Sequence, residues 1–254
     1  MAQAPKRRKR GWMNMRVAKI KDETWDTKTF YFIDDDDNNV PFDYIAGQYL
    51  TFRYDGLQDK PLARSYTMSS SPSQTDYIAV TVKRVEDGIV SNWMCDQLKE
   101  GDILKARGPI GRFCYHPDQS HPHLIMVGAG SGVTPFLSII REYAPKLGSE
   151  GAPAKVSLLV AYRSKQDLIA WDDLQELAKV PGVAIQTTLT REDATAEGFL
   201  HGRPDVKMLE AFIGGEYARS TFMTCGPEAM MNMTVEHLKA MGVQDDHIQL
   251  EAFY

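Results

Sequence analysis

Three groups of residues in this chain have types and spacings that could do chemistry. Gly128-Ala129-Gly130-Ser131-Gly132-Val133-Thr134-Pro135 puts three glycines just ahead of a threonine and a proline. Glycines let a backbone turn tightly and let an anion approach its N–H groups, and a following helix adds partial positive charge. Pro135 suits a first helical turn, where its missing N–H costs little. The spacing is G-x-G-x-G-x-x-P rather than G-x-G-x-x-G, so a nucleotide phosphate is one reading and a purely structural turn the other. Cys225-Gly226-Pro227 offers a small polarizable thiol where a strand ends and a helix begins, and Glu251 a carboxylate. A buried core cysteine is the alternative for Cys225. Arg64-Ser65-Tyr66-Thr67-Met68-Ser69-Ser70 combines a fixed cation, a flat amphipathic ring and several hydroxyls. A strand with exposed polar residues would look the same.

The elements that must position these groups differ between the two halves. From about Met13 to Tyr115 there are short alternating runs at Met15 to Ile20, Thr29 to Ile33, Gln48 to Arg53, Tyr77 to Val85 and Ile103 to Arg107. Polar and glycine-containing turns separate them, which predicts an antiparallel β-barrel or sandwich. One helix, from about Ser91 to Leu98, interrupts this half, with Ser91 placed as its N-cap. The second half predicts strands at Leu124 to Val127, Val156 to Ala161, Val183 to Leu189, Thr221 to Thr224 and Ile248 to Phe253. Helices are expected over Thr134 to Tyr143, Trp171 to Lys179 and Glu228 to Met241. Strand–helix alternation of this kind implies an α/β parallel sheet. The polar stretch Pro117 to Pro122 marks the boundary, giving domains over 13–118 and 123–254 behind a disordered basic leader, 1–12.

The chain has 254 residues, 43% hydrophobic and 25% charged, enough for two ordinary domains. Its net charge of −5 argues against a general nucleic-acid binder. The local exception is Lys6, Arg7, Arg8, Lys9 and Arg10, a solvated leader or an anionic-surface tether. Asp34-Asp35-Asp36-Asp37 is expected to be a solvated loop, because its like charges repel. No apolar run is long enough to span a membrane, and no secretory signal is evident. Three scattered cysteines exclude a disulfide framework, a zinc site held by cysteines alone and a four-cysteine iron–sulfur cluster within this chain. No metal site is expected, and the compartment is expected to be reducing and cytoplasmic.

The motifs together resemble the ferredoxin–NADP reductase superfamily, over about Arg16 to Phe253. The resemblance implies an FAD-binding barrel followed by a nicotinamide-binding α/β domain. Arg64, Tyr66, Thr67 and Ser70 match R-x-Y-[ST]-x-x-S, with Ser65 inside it. They would place Tyr66 on the isoalloxazine ring, Arg64 on a flavin phosphate and the Thr67 hydroxyl near the hydride-accepting nitrogen. Gly88, Val90 and Ser91 resemble the turn that holds the flavin pyrophosphate, and Val82 and Lys83 the strand beside the ribityl and ribose. Gly108-Pro109-Ile110-Gly111-Arg112-Phe113 resembles the segment closing the barrel.

By the same resemblance, NAD(P)H would dock its pyrophosphate over Gly130, Ser131, Gly132, Thr134 and Pro135, and its ring beside Cys225, Gly226 and Pro227. Glu251 would orient the carboxamide or support proton delivery, and Phe253 or Tyr254 would cover the flavin. Thr67, Cys225 and Glu251 are thus the implied catalytic residues. Arg163 and Lys165, and Arg191 one strand further on, suit a ribose phosphate or form a solvated loop. They tilt the expected coenzyme toward NADPH, with NADH the alternative. The implied electron acceptor is a ferredoxin or other iron–sulfur protein, or an oxygenase served by one. A b-type cytochrome and free flavin are the rival acceptors. A non-catalytic electron-relay or nucleotide-sensing subunit is the reading of another class.

Overall fold

The computed structural model describes residues 9–253, which part between Cys114 and Tyr115 into two compact units. That break lies just ahead of the polar stretch Pro117 to Pro122. Residues 1–8, with Lys6, Arg7 and Arg8, and Tyr254 lie outside the described residues.

The first unit is a six-stranded antiparallel sheet of β1 (Met13–Thr24), β2 (Thr27–Asp34), β3 (Tyr49–Tyr54), β4 (Leu62–Thr67), β5 (Ile78–Lys83) and β6 (Ile103–Ile110). Its spatial order is β4-β3-β6-β1-β2-β5. Period-two patterning sets the faces: Leu50, Phe52 and Tyr54 of β3 are buried while Tyr49, Thr51 and Arg53 are half-buried. The sheet curls until its two edges meet. Met68 bridges to Val80, and the Ser69 amide donates to the Ala79 carbonyl at 2.8 Å. Inside lie Met15, Phe30, Phe32, Leu50, Phe52 and Ile78, with Phe32 and Phe52 rings 5.0 Å apart. Helix α1 (Ile89–Gln97) sends Val90, Met94 and Cys95 into this core.

Two local expectations need correction here. Helix α1 starts earlier than Ser91, with Gly88 at its N-cap. Starting there turns Val90 and Met94 inward, and the Ser91 hydroxyl instead accepts from the Val85 amide at 3.2 Å, closing the preceding turn. The aspartate run is not wholly solvated either. Asp34 ends β2, is fully buried, and forms an ion pair at 2.5 Å with Lys9, whose amide donates to the Pro41 carbonyl. Lys9 also pairs with Asp36. Neutralisation by Lys9 offsets the cost of burying the Asp34 carboxylate.

The second unit is an all-parallel sheet of β7 (His123–Ala129), β8 (Lys155–Tyr162), β9 (Val183–Leu189), β10 (Leu200–His201), β11 (Ser220–Cys225) and β12 (Ile248–Glu251), ordered β10-β9-β8-β7-β11-β12. Helices α2 (Thr134–Tyr143), α3 (Trp171–Leu177), α4 (Val206–Ile213) and α5 (Glu228–Ala240) connect the strands. Both sheet faces are covered, so β7 and β8 are nearly continuous apolar runs. Helix α4 and the two-residue β10 are additions to the sequence reading. The strand order reverses between β7 and β11, which makes their carboxyl ends the switch point where open α/β sheets bind ligands.

Candidate functional site

In the first unit, β4 pairs with β3 in the register Phe52↔Arg64, Thr51↔Ser65, Leu50↔Tyr66 and Tyr49↔Thr67. This leaves Arg64 and Ser65 exposed, Tyr66 half-buried and Thr67 buried. The Tyr66 ring packs on the core with its centroid 6.3 Å from that of Phe52, and burial raises its phenol well above the usual range. Arg64 donates to the Ala63 carbonyl at 2.7 Å, and no carboxylate pairs with it among the described residues. Its charge remains available to an anion. Ser65 shares a 3.0 Å hydrogen bond with Thr51 across the strands.

Other residues of the predicted flavin set are occupied by the protein. The Ser70 hydroxyl lies 2.7 Å from the Tyr44 hydroxyl and accepts from the Ala79 amide at 3.0 Å. It is a joint between the end of β4, Tyr44 and β5. Val82 is fully buried in the core. Lys83 pairs with buried Asp26, which also accepts from the Thr24 and Thr27 hydroxyls at 2.8 and 2.9 Å. Burial opposes ionisation of Asp26, but these donors, Lys83 foremost, hold its carboxyl below the usual range.

The turn before α1 fits a pyrophosphate. A Cβ at Gly88 would stand 2.6 Å from Ser91 Oγ and 3.0 Å from the Val85 carbonyl, so any larger residue would have to displace the Ser91 hydroxyl that closes the turn. Among the described residues no side chain caps α1 and no acidic residue sits in its first turn. The opening amides of the helix are therefore free to receive an anion. With Arg64 and the half-buried Tyr66 ring, these residues fit an FAD.

In the second unit, the three glycines of the predicted phosphate turn are required for different reasons. A Cβ at Gly128 would meet the Phe136 ring at 2.9 Å, and one at Gly132 would lie 2.2 Å from the Cys225 carbonyl oxygen. Gly130 has φ +54° and open space where a Cβ would point. Residues Gly130–Val133 form a single 3₁₀ turn leading into α2, and the Thr134 hydroxyl closes it by donating to the Ser131 carbonyl at 2.9 Å. Pro135 stands in the first turn of α2, which no side chain caps among the described residues.

Cys225 ends β11 directly between Gly128 of β7 and Glu251 of β12. It is fully buried, and burial, reinforced by Glu251, raises its thiol pKa so that it stays neutral. Gly226 at φ +151° and Pro227 then lead into α5. Burial pushes the Glu251 carboxyl up to about 7, and its Oε2 is buried with no hydrogen-bond partner among the described residues. An orphaned acceptor beside a neutral thiol fits the carboxamide of a nicotinamide, whose NH₂ would supply the missing donor. Phe253 is exposed just after β12.

The basic residues expected at a ribose phosphate come together at the ends of β8 and β9, where the Arg191 amide donates to the Arg163 carbonyl at 2.8 Å. Neither guanidinium has a partner among the described residues. Lys165 differs, being ion-paired with Glu197 at 2.7 Å and with Glu192 at 3.5 Å. Ser164 donates to Asp167 at 2.7 Å. A cavity of about 220 Å³ opens between α3 and β9, walled by the stacked Trp171 and Phe199 rings, and none of the predicted site residues lines it. Among the described residues there is no cluster of metal-ligating side chains, and no helix is long and apolar enough to cross a membrane.

Comparison with known proteins finds matches to both units. The oxidoreductase FAD-binding domain matches residues 14–115, and the oxidoreductase NAD-binding domain residues 126–236. The glycine betaine monooxygenase reductase subunit of Chromohalobacter salexigens is 32% identical over 247 residues, covering 96% of this chain and 64% of its own length. The ferredoxin reductase component of 3-ketosteroid-9-alpha-monooxygenase from Mycolicibacterium smegmatis is 32% identical over 245 residues, 95% of this chain and 65% of its own. The flavohem-like FAD/NAD binding domain of nitric oxide dioxygenase from Vibrio cholerae superposes with a TM-score of 0.80 at 26% identity, over 95% of this chain and 98% of that one. The chain belongs to the ferredoxin–NADP reductase superfamily. It spans just under two thirds of the length of the two reductase components above.

Sequence reasoning missed three working contacts: the Tyr44–Ser70 joint, the seat of Gly132 on the Cys225 carbonyl, and the glutamates on Lys165. Only the last left a signal, in the acid that directly follows Arg191.

Proposed function

We propose that this chain is a flavoprotein reductase that takes a hydride from NAD(P)H and delivers electrons singly to a ferredoxin or other iron–sulfur protein serving an oxygenase. The carrying observation is the alignment of Gly128, Cys225 and Glu251 at the switch point, with Glu251 Oε2 left without a donor. Bound FAD would supply the hydride acceptance and one-electron release. The protein's part is to hold and orient. Tyr66 offers its ring to the isoalloxazine, Thr67 a hydroxyl, and Arg64 with the opening amides of α1 the counter-charge for the pyrophosphate. The turn 130–133 and α2 receive the coenzyme pyrophosphate. Cys225, small and uncharged, leaves room for the pyridine ring, and Glu251 accepts from its carboxamide. The unpaired Arg163 and Arg191 favour NADPH. The oxygenase acceptor is supported by the similar reductase components, which serve monooxygenases by name. A reducing, cytoplasmic setting is supported by three buried cysteines that form no disulfide among the described residues.

The test is anaerobic. Purified protein reconstituted with FAD should bleach on adding NADPH or NADH, and stopped-flow reoxidation by candidate ferredoxins should outpace that by b-type cytochromes or free FMN. Protein that cannot be reconstituted with FAD would end this reading.

A further inference from the structure

Lys165 stands at the end of β8 beside Arg163, in the position of a third cation for a ribose phosphate, yet it does not face solvent as a free charge. Its Nζ lies 2.7 Å from Glu197 Oε1 and 3.5 Å from Glu192 Oε1, while its backbone amide donates to Glu192 Oε2 at 2.8 Å. The two glutamates come from the segment after β9, and one of them is the immediate neighbour of Arg191. The Glu192 carbonyl further faces His201 Nδ1 at 3.0 Å, which helps fix that segment. Two arginines without ion-pair partners and one lysine bridged by two carboxylates therefore occupy the same pair of strand ends.

We infer that Glu192 and Glu197 are specificity-determining residues for the coenzyme: by engaging Lys165 they withhold it from a 2′-phosphate and set the balance between NADPH and NADH. The inference rests on the proposed nicotinamide role of this unit. A 2′-phosphate dianion and these carboxylates compete for the same ammonium. The ion pairs are solvent-exposed, with Lys165 and Glu197 side chains 41% and 57% accessible, so each is weak and screened by salt. The effect is accordingly a tuning of a few-fold to about tenfold rather than an absolute gate.

The test uses the full chain and two probes that need no flavin, 5′-AMP and 2′,5′-ADP, by titration calorimetry at low salt. E192Q/E197Q keeps the size of both side chains and an acceptor for the Lys165 amide. It should tighten 2′,5′-ADP relative to 5′-AMP by about three- to tenfold, less so at high salt, and adding K165A should cancel the gain. The same double variant should move the NADPH-to-NADH ratio of kcat/KM in step. No shift in E192Q/E197Q, or a shift that survives K165A, overturns the inference. R163A and R191A separate the two levels. If they weaken 2′,5′-ADP while E192Q/E197Q changes nothing, only the role of the glutamates falls. If they leave both nucleotides untouched, the inference falls together with the coenzyme reading of these strand ends.

Discussion

At the scale of single residues, Glu251 carries the clearest physical consequence. Burial raises its carboxyl from 4.5 to about 7, so the folded chain holds this proton more tightly than the unfolded one. The contribution is complete below about pH 4.5 and is lost as pH rises through about 7. Allowing for its partial exposure, the swing is roughly 1–3 kcal/mol. Glu251→Gln should flatten the fall in stability between pH 5 and pH 8 by that amount, measured by urea denaturation at both values. The same substitution should slow reduction of bound FAD by NADPH tenfold or more if the carboxyl orients the nicotinamide; an unchanged rate would remove Glu251 from the site. The glycines make a second contrast. Gly132→Ala would drive a methyl group into the Cys225 carbonyl and should cost about 2–4 kcal/mol or more. Gly130→Ala meets open space and only a strained φ, a cost of about 1–2 kcal/mol. Denaturation midpoints of the two variants would show whether this order holds.

At the scale of elements, the joint at Ser70 ties the curled sheet where its edges approach. Ser70→Ala removes the acceptor of the buried Ala79 amide and should cost about 1–3 kcal/mol, whereas Tyr44→Phe leaves that bond and should cost less. Equal losses in urea melts would show that the joint depends on the tyrosine instead. The strands were legible because their patterning is strong. β2 and β3 alternate, and β7 and β8 are nearly continuous apolar runs, so either kind of sheet announces itself. Helix α4 was missed although Asp205 caps it, accepting from the Met208 amide at 2.8 Å, and Gly214 ends it in the left-handed region. Its eight residues are too few for periodicity to stand out. Ser91 misled because a serine before an apolar stretch is the usual cap. The demand that Val90 and Met94 face the core moved the start of α1, and only packing could reveal that. A side-chain commitment such as Lys83 to Asp26 joins residues far apart in sequence, so spacing gave no hint of it.

At the scale of the whole molecule, each unit has its own core and its own proposed ligand. One core gathers Phe30, Phe32, Phe52 and Met94; the other gathers Ile125, Val127, Leu159 and Phe222 with Leu209 and Leu238 of the helices above. Ligand bound to a folded unit adds about 2.7 kcal/mol at a hundredfold excess over its Kd. Hydrogen exchange should therefore show FAD slowing amides of β4 and the start of α1, and NADP⁺ slowing those of residues 130–133 and the end of β11. Protection by FAD confined to the second unit would reverse the assignment of cofactors to units.

The seat of Gly132 on the Cys225 carbonyl has a last consequence. On the proposed reading these two residues attend two adjoining parts of one coenzyme, the diphosphate and the pyridine, and they are wedged together with no room for even a methyl group. Neither part can be re-spaced alone. Arg163, Lys165, Glu192 and Glu197 belong to the segments that follow β8 and β9, on the other side of β7 from β11. On the inference above, coenzyme preference is a separable dial, one that a protein engineer could turn while the reacting geometry stays locked.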